Sequence, residues 1–200
     1  MRASCFILLF SLYCSVVLAQ WQPNGVAVCD TIANGGIEPL SKITTDGKGG
    51  AIICWRDARN GNDYDIYAQR ISSGGYALWQ HNGVPVVALN ANQNFPRISA
   101  DGDGGGFVAW EDDRAVSNTF IYVQRVDSSG EPIWQLNGTR VAEKSGLFIS
   151  IANDERDGVL IGWVYGGIYD VVVQRLDGFG NRMWGDSGVQ VTNRPENVSS

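Results

Sequence analysis

Residues 46–59 of this 200-residue chain have the sequence DGKGGAIICWRDAR. An aspartate and a glycine-rich turn are followed by an apolar run that ends in a tryptophan. Residues 101–114, DGDGGGFVAWEDDR, repeat the whole pattern, and residues 154–165, DERDGVLIGWVY, repeat its first part. A glycine-rich turn before a short apolar run predicts a hairpin that leads into a buried strand. Because internal repeats set the architecture of a chain, this unit predicts the fold.

A second repeated block follows each of these tryptophans and ends in the dipeptide Gln-Arg. Its copies are IYAQR at 66–70, IYVQR at 121–125 and VVVQR at 171–175. Nine residues after each arginine lies a further tryptophan, at Trp79, Trp134 and Trp184. The constant offsets predict a unit of about 50 residues with four strands, which is the size of a propeller blade. The fourth strand is predicted around this second tryptophan.

The predicted fold is therefore all-β, with four-stranded antiparallel blades of the β-propeller type. A repeat region is predicted at 20–200, with three full blades at approximately 38–88, 93–142 and 146–192, a lone first strand at 20–30 and a partial last element at 196–200. Propellers close with roughly 4–8 blades, so the ring is predicted to be incomplete. Open blade edges favour self-assembly or continuation of the ring.

The N-terminus has the pattern of a secretory signal peptide, which we predict at residues 1–19. Arg2 supplies a positive charge, an apolar run follows, and small residues precede a cleavage site after Ala19. The apolar run is shorter than the roughly 20 residues that a membrane-spanning helix needs. We therefore expect a secreted or cell-surface protein with no membrane span in the mature chain.

Composition and charge exclude several classes of function. The net charge is −6 at pH 7, and the chain has no Lys/Arg cluster, which disfavours nucleic acid and anionic membranes as partners. His81 is the only histidine, which excludes Ser-His-Asp triads and histidine-based zinc sites. The acidic stretch 101–105 is interpreted as a turn and not as a calcium site, since its spacing lies in the wrong context for a calcium loop. No metal site and no cofactor is predicted.

Two cysteines remain after removal of the signal peptide, Cys29 and Cys54. An oxidising compartment allows a disulfide between them. Both occupy positions that the other repeats fill with apolar or small residues, which favours two buried free thiols. The two alternatives stay open on the sequence.

The candidate ligand-binding residues follow the second strand of each blade: Asp57, Arg59, Asp112, Arg114 and Tyr165. In a propeller, the loops after the second and fourth strands share one face, which is the usual binding face. The alternative is that aspartate and arginine two positions apart pair and pin a loop. The third copy departs from the pattern because Tyr165 replaces the aspartate. No catalytic residue is predicted, and the repeated tryptophans are interpreted as packing residues.

The repeat resembles that of secreted bacterial β-propeller repeat proteins. The resemblance rests on DGxGGAIIxWxDxR at 46–59, DIYAQR at 65–70 and WxxNGV at 79–84, and it extends over residues 21–200. It implies the propeller fold and secretion, and many such proteins carry a cell-surface or sorting domain. It implies no catalytic residues, because the family has no agreed set.

These patterns favour a secreted, non-catalytic binding or scaffold module whose ligand is a protein or a glycan. One alternative is a glycan-acting hydrolase of the propeller type with its catalytic carboxylates outside this chain, since paired carboxylates suffice for glycoside hydrolysis. Another is a structural protein of the cell surface or envelope. The absence of an acid–base constellation unique to one copy favours the non-catalytic module.

Overall fold

The computed structural model describes residues 24–30, 40–61, 63–115, 117–165 and 170–192. In these ranges the chain forms twelve β-strands and no helix. The described part of the chain therefore holds no helix that is long and apolar enough to cross a membrane. The strands in chain order are β1 (Ser41–Thr45), β2 (Ala51–Asp57), β3 (Asp65–Ile71), β4 (Val84–Val87), β5 (Gln93–Ala100), β6 (Gly106–Asp112), β7 (Phe120–Val126), β8 (Thr139–Arg140), β9 (Leu147–Asn153), β10 (Val159–Tyr165), β11 (Asp170–Leu176) and β12 (Val189–Gln190).

The strands form three separate sheets of four strands each. The first blade contains β1 to β4, the second β5 to β8 and the third β9 to β12. Within every sheet, strands that are adjacent in sequence are hydrogen-bonded neighbours, and all pairings are antiparallel. The predicted all-β fold with three copies of a four-stranded antiparallel blade is confirmed.

The aspartate that opens each repeat closes the hairpin between the first two strands of its blade. The Asp46 carboxylate accepts hydrogen bonds from the N–H groups of Lys48 and Gly50, at 2.8 and 2.7 Å. Its other oxygen pairs with the Arg70 guanidinium at 2.9 Å, which ties the third strand to the turn. A Cβ atom at Gly50 would lie 2.1 Å from the carbonyl oxygen of Ile71, so glycine is required there. The other blades repeat the ion pair as Asp101 with Arg125 and Asp154 with Arg175.

The glutamine of each Gln-Arg dipeptide spans a gap between the third and fourth strands. After the turn that follows β3, the chain pairs with β3 only at Ala77 and Leu78, then leaves the sheet and rejoins the ladder at Val84. Across this gap, Oε1 of Gln69 accepts the N–H of Trp79 at 3.0 Å, and Nε2 donates to the Gln80 carbonyl at 2.8 Å. The buried amide replaces the backbone pairing that the excursion removes. Equivalent bonds are made by Gln124 and Gln174.

The fourth strand of each blade begins later than the sequence predicts. The pattern places it around the second tryptophan, but β4, β8 and β12 begin five residues beyond Trp79, Trp134 and Trp184. In the first blade, the tryptophan leads into a turn in which Asn82 and Gly83 have φ values of 68° and 82°. Such left-handed residues form a tight turn and interrupt the ladder. The prediction of the fourth strand around the tryptophan is therefore wrong.

The two ends of the predicted repeat differ from the three blades. Residues 24–30 are described and contain no strand, so the lone strand predicted at 20–30 does not form in these residues. Residues 20–23 lie outside the described residues. The predicted partial element at 196–200 and the predicted signal peptide at 1–19 also lie outside them.

The blades pack side by side through the apolar faces of their sheets. One cluster of buried side chains joins the first and second blades and includes Cys54, Val86 and Trp110. Another cluster joins the second and third blades and includes Phe107 and Trp163. The tryptophans at the ends of β6 and β10 thus pack between blades, as the sequence predicts.

The second tryptophan of each repeat makes a further contact between blades. Nε1 of Trp79 donates to the Ser128 carbonyl in the next blade at 3.0 Å, and its indole lies against Gly130. A Cβ atom at Gly130 would come within 2.9 Å of that ring. The next interface repeats the contact with Trp134, Gly178 and Gly180. The tryptophan is therefore a hook that holds one blade to the following one.

Candidate functional site

The loops that leave the second and fourth strands meet on one face of the molecule. Gln93 N–H donates to the Tyr64 carbonyl at 2.7 Å, and Gly146 N–H donates to the Thr119 carbonyl at 3.0 Å. Each bond joins the loop after one blade's second strand to the first strand or preceding loop of the next blade. We name this surface the loop face, and it comprises residues 58–61, 63–64, 88–92, 113–115, 117–119 and 141–146.

In the first blade, two of the predicted site residues form a closed arrangement. Asp57 is buried at the end of β2 and accepts a hydrogen bond from Nε1 of Trp55 at 2.8 Å. The Arg59 guanidinium pairs with the same carboxylate and donates to the Asn82 carbonyl at 2.9 Å. It also stacks over the Tyr67 ring, 3.7 Å from the centroid. The arginine thus fastens the loop after β2 to the turn before β4.

The second blade repeats this arrangement with the same chemistry. Asp112 is fully buried and accepts the Trp110 indole N–H at 2.7 Å. Arg114 pairs with Asp112, donates to the Asn137 carbonyl at 2.9 Å and lies 3.9 Å from the centroid of the Tyr122 ring. We name this Trp-Asp-Arg-Tyr arrangement the exit lock. The loop-pinning alternative therefore describes these aspartates and arginines in both blades.

The electrostatics of the exit lock agree with a structural role. Burial alone would raise the pKa of Asp57, but hydrogen bonds from Arg59 and from Trp55 outweigh it and hold the pKa below its usual value. The charge is stabilised by donors within the blade, which is how buried carboxylates are normally satisfied. The structure does not bring Asp57 and Asp112 together into one site, because each carboxylate closes its own blade.

The third blade lacks the exit lock. Tyr165 stands where the aspartate would be; it is half-buried and packs against the cluster between the second and third blades. The Lys144 ammonium lies 5.1 Å from the centroid of its ring. Nε1 of Trp163 is buried and has no hydrogen-bond partner among the described residues. The loop at 166–169, which follows Tyr165, lies outside the described residues.

Two exposed phenylalanines, missed by the sequence reasoning as site residues, lie beside the loop face. Phe95 and Phe148 are 45% and 64% exposed, and both have left-handed backbone conformations, with φ of 50° and 60°. Each lies at a register shift near the start of its blade's first strand, β5 or β9. A left-handed conformation is a genuine outlier for a bulky residue. These are the two most unusual residues of this surface.

Neighbouring side chains hold both bulges in place. Oε1 of Glu111, in the second blade, accepts the N–H of Phe148 in the third at 2.8 Å. Burial raises the pKa of Glu111, and this hydrogen bond opposes the shift. Nη1 of Arg97 donates to the Pro96 carbonyl at 3.0 Å, next to Phe95. The bulges are thus fixed features that turn the aromatic rings outward.

One weak sequence signal points to these phenylalanines. Phe95 and Phe148 each precede the tryptophan of their repeat by fifteen residues, where the first blade has Leu40. The phenylalanine at this constant offset is visible in the sequence. Its left-handed backbone is not, because phenylalanine normally avoids that region.

A buried carboxylate at the loop face also escaped the sequence reasoning. Asp65 begins β3 beside Asp57 in the ladder and is fully buried. Burial raises its pKa, and the hydrogen bond from Leu89 N–H opposes the shift. Its oxygens accept from Leu89 and from Asn60. This carboxylate ties two loops of the first blade together.

The remaining candidates are accounted for by local contacts. His81 is 80% exposed and lies 3.2 Å from Asp30. Asp101 uses one carboxylate oxygen for turn N–H groups and the other for Arg125, as a turn residue does.

No disulfide joins Cys29 to Cys54 in the described part of the chain. Cys54 is buried, which raises its pKa to about 12, and Cys29 is half-buried beside Arg59. The expectation of two buried thiols therefore holds for Cys54 alone.

Comparisons with known proteins found little similarity. No protein-family model matches the chain, and no curated protein matches it. Among solved structures, the chain is similar to an endo-arabinase from Bacteroides thetaiotaomicron VPI-5482, with 10% identity and a TM-score of 0.46. The match covers 76% of this chain and 61% of the other, so the chain spans less than two thirds of that protein's length. A likeness at this level does not bear on function.

Proposed function

We propose that this chain is a secreted, non-catalytic binding module of the β-propeller type, akin to the secreted bacterial repeat proteins that its motifs resemble. Its ligand is a glycan that docks on the first strands beside the loop face. One observation carries the proposal: Phe95 and Phe148 are exposed and occupy the same strained position in adjacent blades.

Retaining phenylalanine at these two positions has a conformational cost that burial of the exposed parts of the rings does not offset. A non-glycine residue in a sparsely populated backbone region costs about 1–3 kcal/mol. Glycine or asparagine would adopt the same conformation more easily. An exposed ring gains little from burial within the protein. A cost repeated in two blades supports a role for the rings toward a ligand.

The placement of the rings suits an extended ligand. Phe95 and Phe148 begin the first strands of adjacent blades, β5 and β9, which contact each other. The two phenylalanines therefore occupy equivalent positions on adjacent first strands. Two neighbouring platforms favour a ligand with repeated units, such as an oligosaccharide, over a single small molecule.

The surrounding chemistry also favours a glycan. The C–H face of a sugar ring packs on an aromatic ring, while its hydroxyl groups need hydrogen-bond donors and acceptors. Asn94 and Arg97 flank Phe95 and are partly exposed. They can donate to sugar hydroxyls while the ring makes the apolar contact. Because Asp57 and Asp112 are occupied within their own exit locks, the proposal predicts binding without hydrolysis.

The experiment is a screen of the purified chain on an array of defined oligosaccharides, followed by calorimetry with the best binder. Phe148→Ala should weaken binding at least about tenfold, as expected for loss of an aromatic contact worth over 1 kcal/mol. Phe179→Ala is the matched control, because Phe179 is 85% exposed in the turn at the opposite end of the third blade.

The same samples decide between the alternatives. Release of reducing ends from the bound oligosaccharide would show that the chain is a hydrolase and not a non-catalytic binding module. Equal affinity of Phe148→Ala and the unchanged chain for the oligosaccharide would show that the phenylalanines are not part of the binding site. No binding to any glycan on the array would defeat the proposal and favour a protein ligand or a structural role.

A further inference from the structure

The third blade presents an apolar face that has no neighbour among the described residues. Trp184 is 39% exposed there, whereas its counterpart Trp79 is 7% exposed against the second blade. Beside Trp184 lies an apolar depression of about 350 Å³, lined by Leu160, Gly162 and Val173 among others. Side chains at these positions in the first two blades are buried against the following blade.

The first blade presents the complementary face. Ile43 is 69% exposed, while its counterpart in the second blade, Ile98, packs into the cluster between the first two blades. Ile53 is half-buried, while its counterpart Val108 is buried in that cluster. Among the described residues, the first blade thus leaves the part of its receiving surface around Ile43 and Ile53 exposed, whereas Trp55 on the same face is buried.

The first blade also carries the turn that accepts the tryptophan hook. In the second blade, Asp127 N–H bonds to the Glu131 carbonyl, and Gly130 N–H bonds to the Asp127 carbonyl. In the first blade, the same two bonds run from Ser72 to Tyr76 and from Gly75 to Ser72, and Gly75 has a φ of 80°. The carbonyl of Ser73 therefore stands where the Ser128 carbonyl accepts Trp79, and Gly75 stands where Gly130 supports its indole.

We propose that the occupant of both faces is a second copy of this chain, with Trp184 of each copy hooked onto Ser73 and Gly75 of the other. The contact continues the interfaces already present between the blades, so it needs no new chemistry. Two copies of three blades give six, which lies within the roughly 4–8 blades of closed propellers. A head-to-tail contact that closes after two copies also leaves no open blade edge.

The test is the mass of the purified chain in solution, measured by light scattering and sedimentation over a range of concentrations. The expected mass is twice that of one chain. Trp184→Ala should weaken the dimer at least about tenfold, since a tryptophan at the centre of an interface is a typical hot spot. Leu136→Ala is the matched control, because Leu136 is 84% exposed on the second blade, away from both open faces.

A mixing experiment tests the head-to-tail arrangement itself. Ile43→Glu should likewise weaken the dimer, because it places a charge in the other half of the contact, and the mixing is done at a concentration where each variant alone is monomeric. Mixed together, Trp184→Ala and Ile43→Glu retain one intact contact per pair and should form a heterodimer, although each alone is monomeric. A monomeric unchanged chain, a dimer insensitive to Trp184→Ala, or a mixture that stays monomeric would overturn the proposal. Circular dichroism of each variant separates loss of the dimer from loss of the fold.

Discussion

The second and third blades have the same repeat, but they differ in how many residues of the second strand are buried and in whether the loop after that strand is pinned. Every residue of β6 is buried, because the second blade is covered on both sides. In β10, buried and half-buried residues alternate, because the third blade is covered on one side. The second blade also has the exit lock of Asp112 and Arg114, which the third blade lacks. Burial of a strand therefore depends on the neighbouring blades, and closure of the loop depends on the loop residues. The strand pattern alone sets neither.

The two blades also differ in whether the indole N–H of the second-strand tryptophan has an acceptor. Trp110 and Trp163 are both buried in equivalent strands, yet among the described residues only Trp110 has an acceptor for its indole N–H. A buried donor without a partner costs about 1–3 kcal/mol. Within the described residues, Trp163 therefore keeps the packing role of the tryptophan without the hydrogen bond that Trp110 makes.

The largest expected effect tests the difference in cover. Trp110→Ala should lower the free energy of unfolding by about 3–5 kcal/mol, because it empties a filled space between two blades. Trp184→Ala should cost about 1 kcal/mol or less in the monomer, because that indole is partly exposed. Urea unfolding of both variants at low protein concentration measures the two values. Equal losses would contradict the assignment of a covered and an uncovered face.

A single substitution made in both blades isolates the hydrogen bond of the lock. Trp110→Phe leaves the buried Asp112 without one of its donors, whereas Trp163→Phe removes a donor that has no partner in the described part of the chain. We expect Trp110→Phe to cost about 1–2 kcal/mol more than Trp163→Phe, since the loss of packing volume is the same. Chemical denaturation of the two variants gives the difference. A larger loss for Trp163→Phe would show that its indole N–H has an acceptor.

The turn aspartate of the third blade, Asp154, should contribute to stability in acid. Burial alone would raise the pKa of Asp154, but hydrogen bonds from the Arg156 and Gly158 N–H groups and from Arg175 hold the pKa below its usual 3.8. Because the folded pKa is the lower one, this stabilisation is fully present above about pH 3.8 and is lost as the pH falls through the folded pKa.

Asp154→Asn should therefore reduce stability at pH 7 and flatten the decline below pH 3.8. Thermal melts of both proteins from pH 2 to 7 show this as converging curves at low pH. The substitution Asp103→Asn is a suitable control, because Asp103 is 84% exposed in the equivalent turn of the second blade. Parallel curves for Asp154→Asn and the unchanged chain would refute the role of this carboxylate.

The smallest expected effect concerns the strained phenylalanine. Phe148→Gly should raise the free energy of unfolding by up to about 1 kcal/mol, because relief of the left-handed strain exceeds the entropic cost of glycine. Leu40→Gly, at the same position in the first blade, should be destabilising, because it removes a half-buried apolar side chain and adds the entropic cost of glycine. Differential scanning calorimetry compares the two. Destabilisation by Phe148→Gly would show that the ring contributes to the fold.

Prediction from sequence succeeded where the signal was local. The Asp-Gly turns and the apolar runs located the first three strands of every blade, because each depends on a few consecutive residues. It failed for the fourth strand, because Gln69, Gln124 and Gln174 hold the preceding excursion away from the ladder. The ligand-binding candidates Asp57, Arg59, Asp112 and Arg114 form ion pairs within the exit locks, and their role toward a ligand stays a prediction. Sequence reasoning missed Phe95 and Phe148 because phenylalanine normally avoids the left-handed backbone conformation that both adopt.

The repeating unit follows from local sequence: glycine positions and constant spacing predict the turns, the strand order and three copies of a blade. Which distant residues meet follows from packing, as for Arg70 with Asp46 across 24 positions and Trp79 with Ser128 across 49. Turn and strand preferences act between neighbours along the chain. Burial, exposure and the partners of polar groups depend on the packing of one blade against the next, and no local pattern encodes that packing.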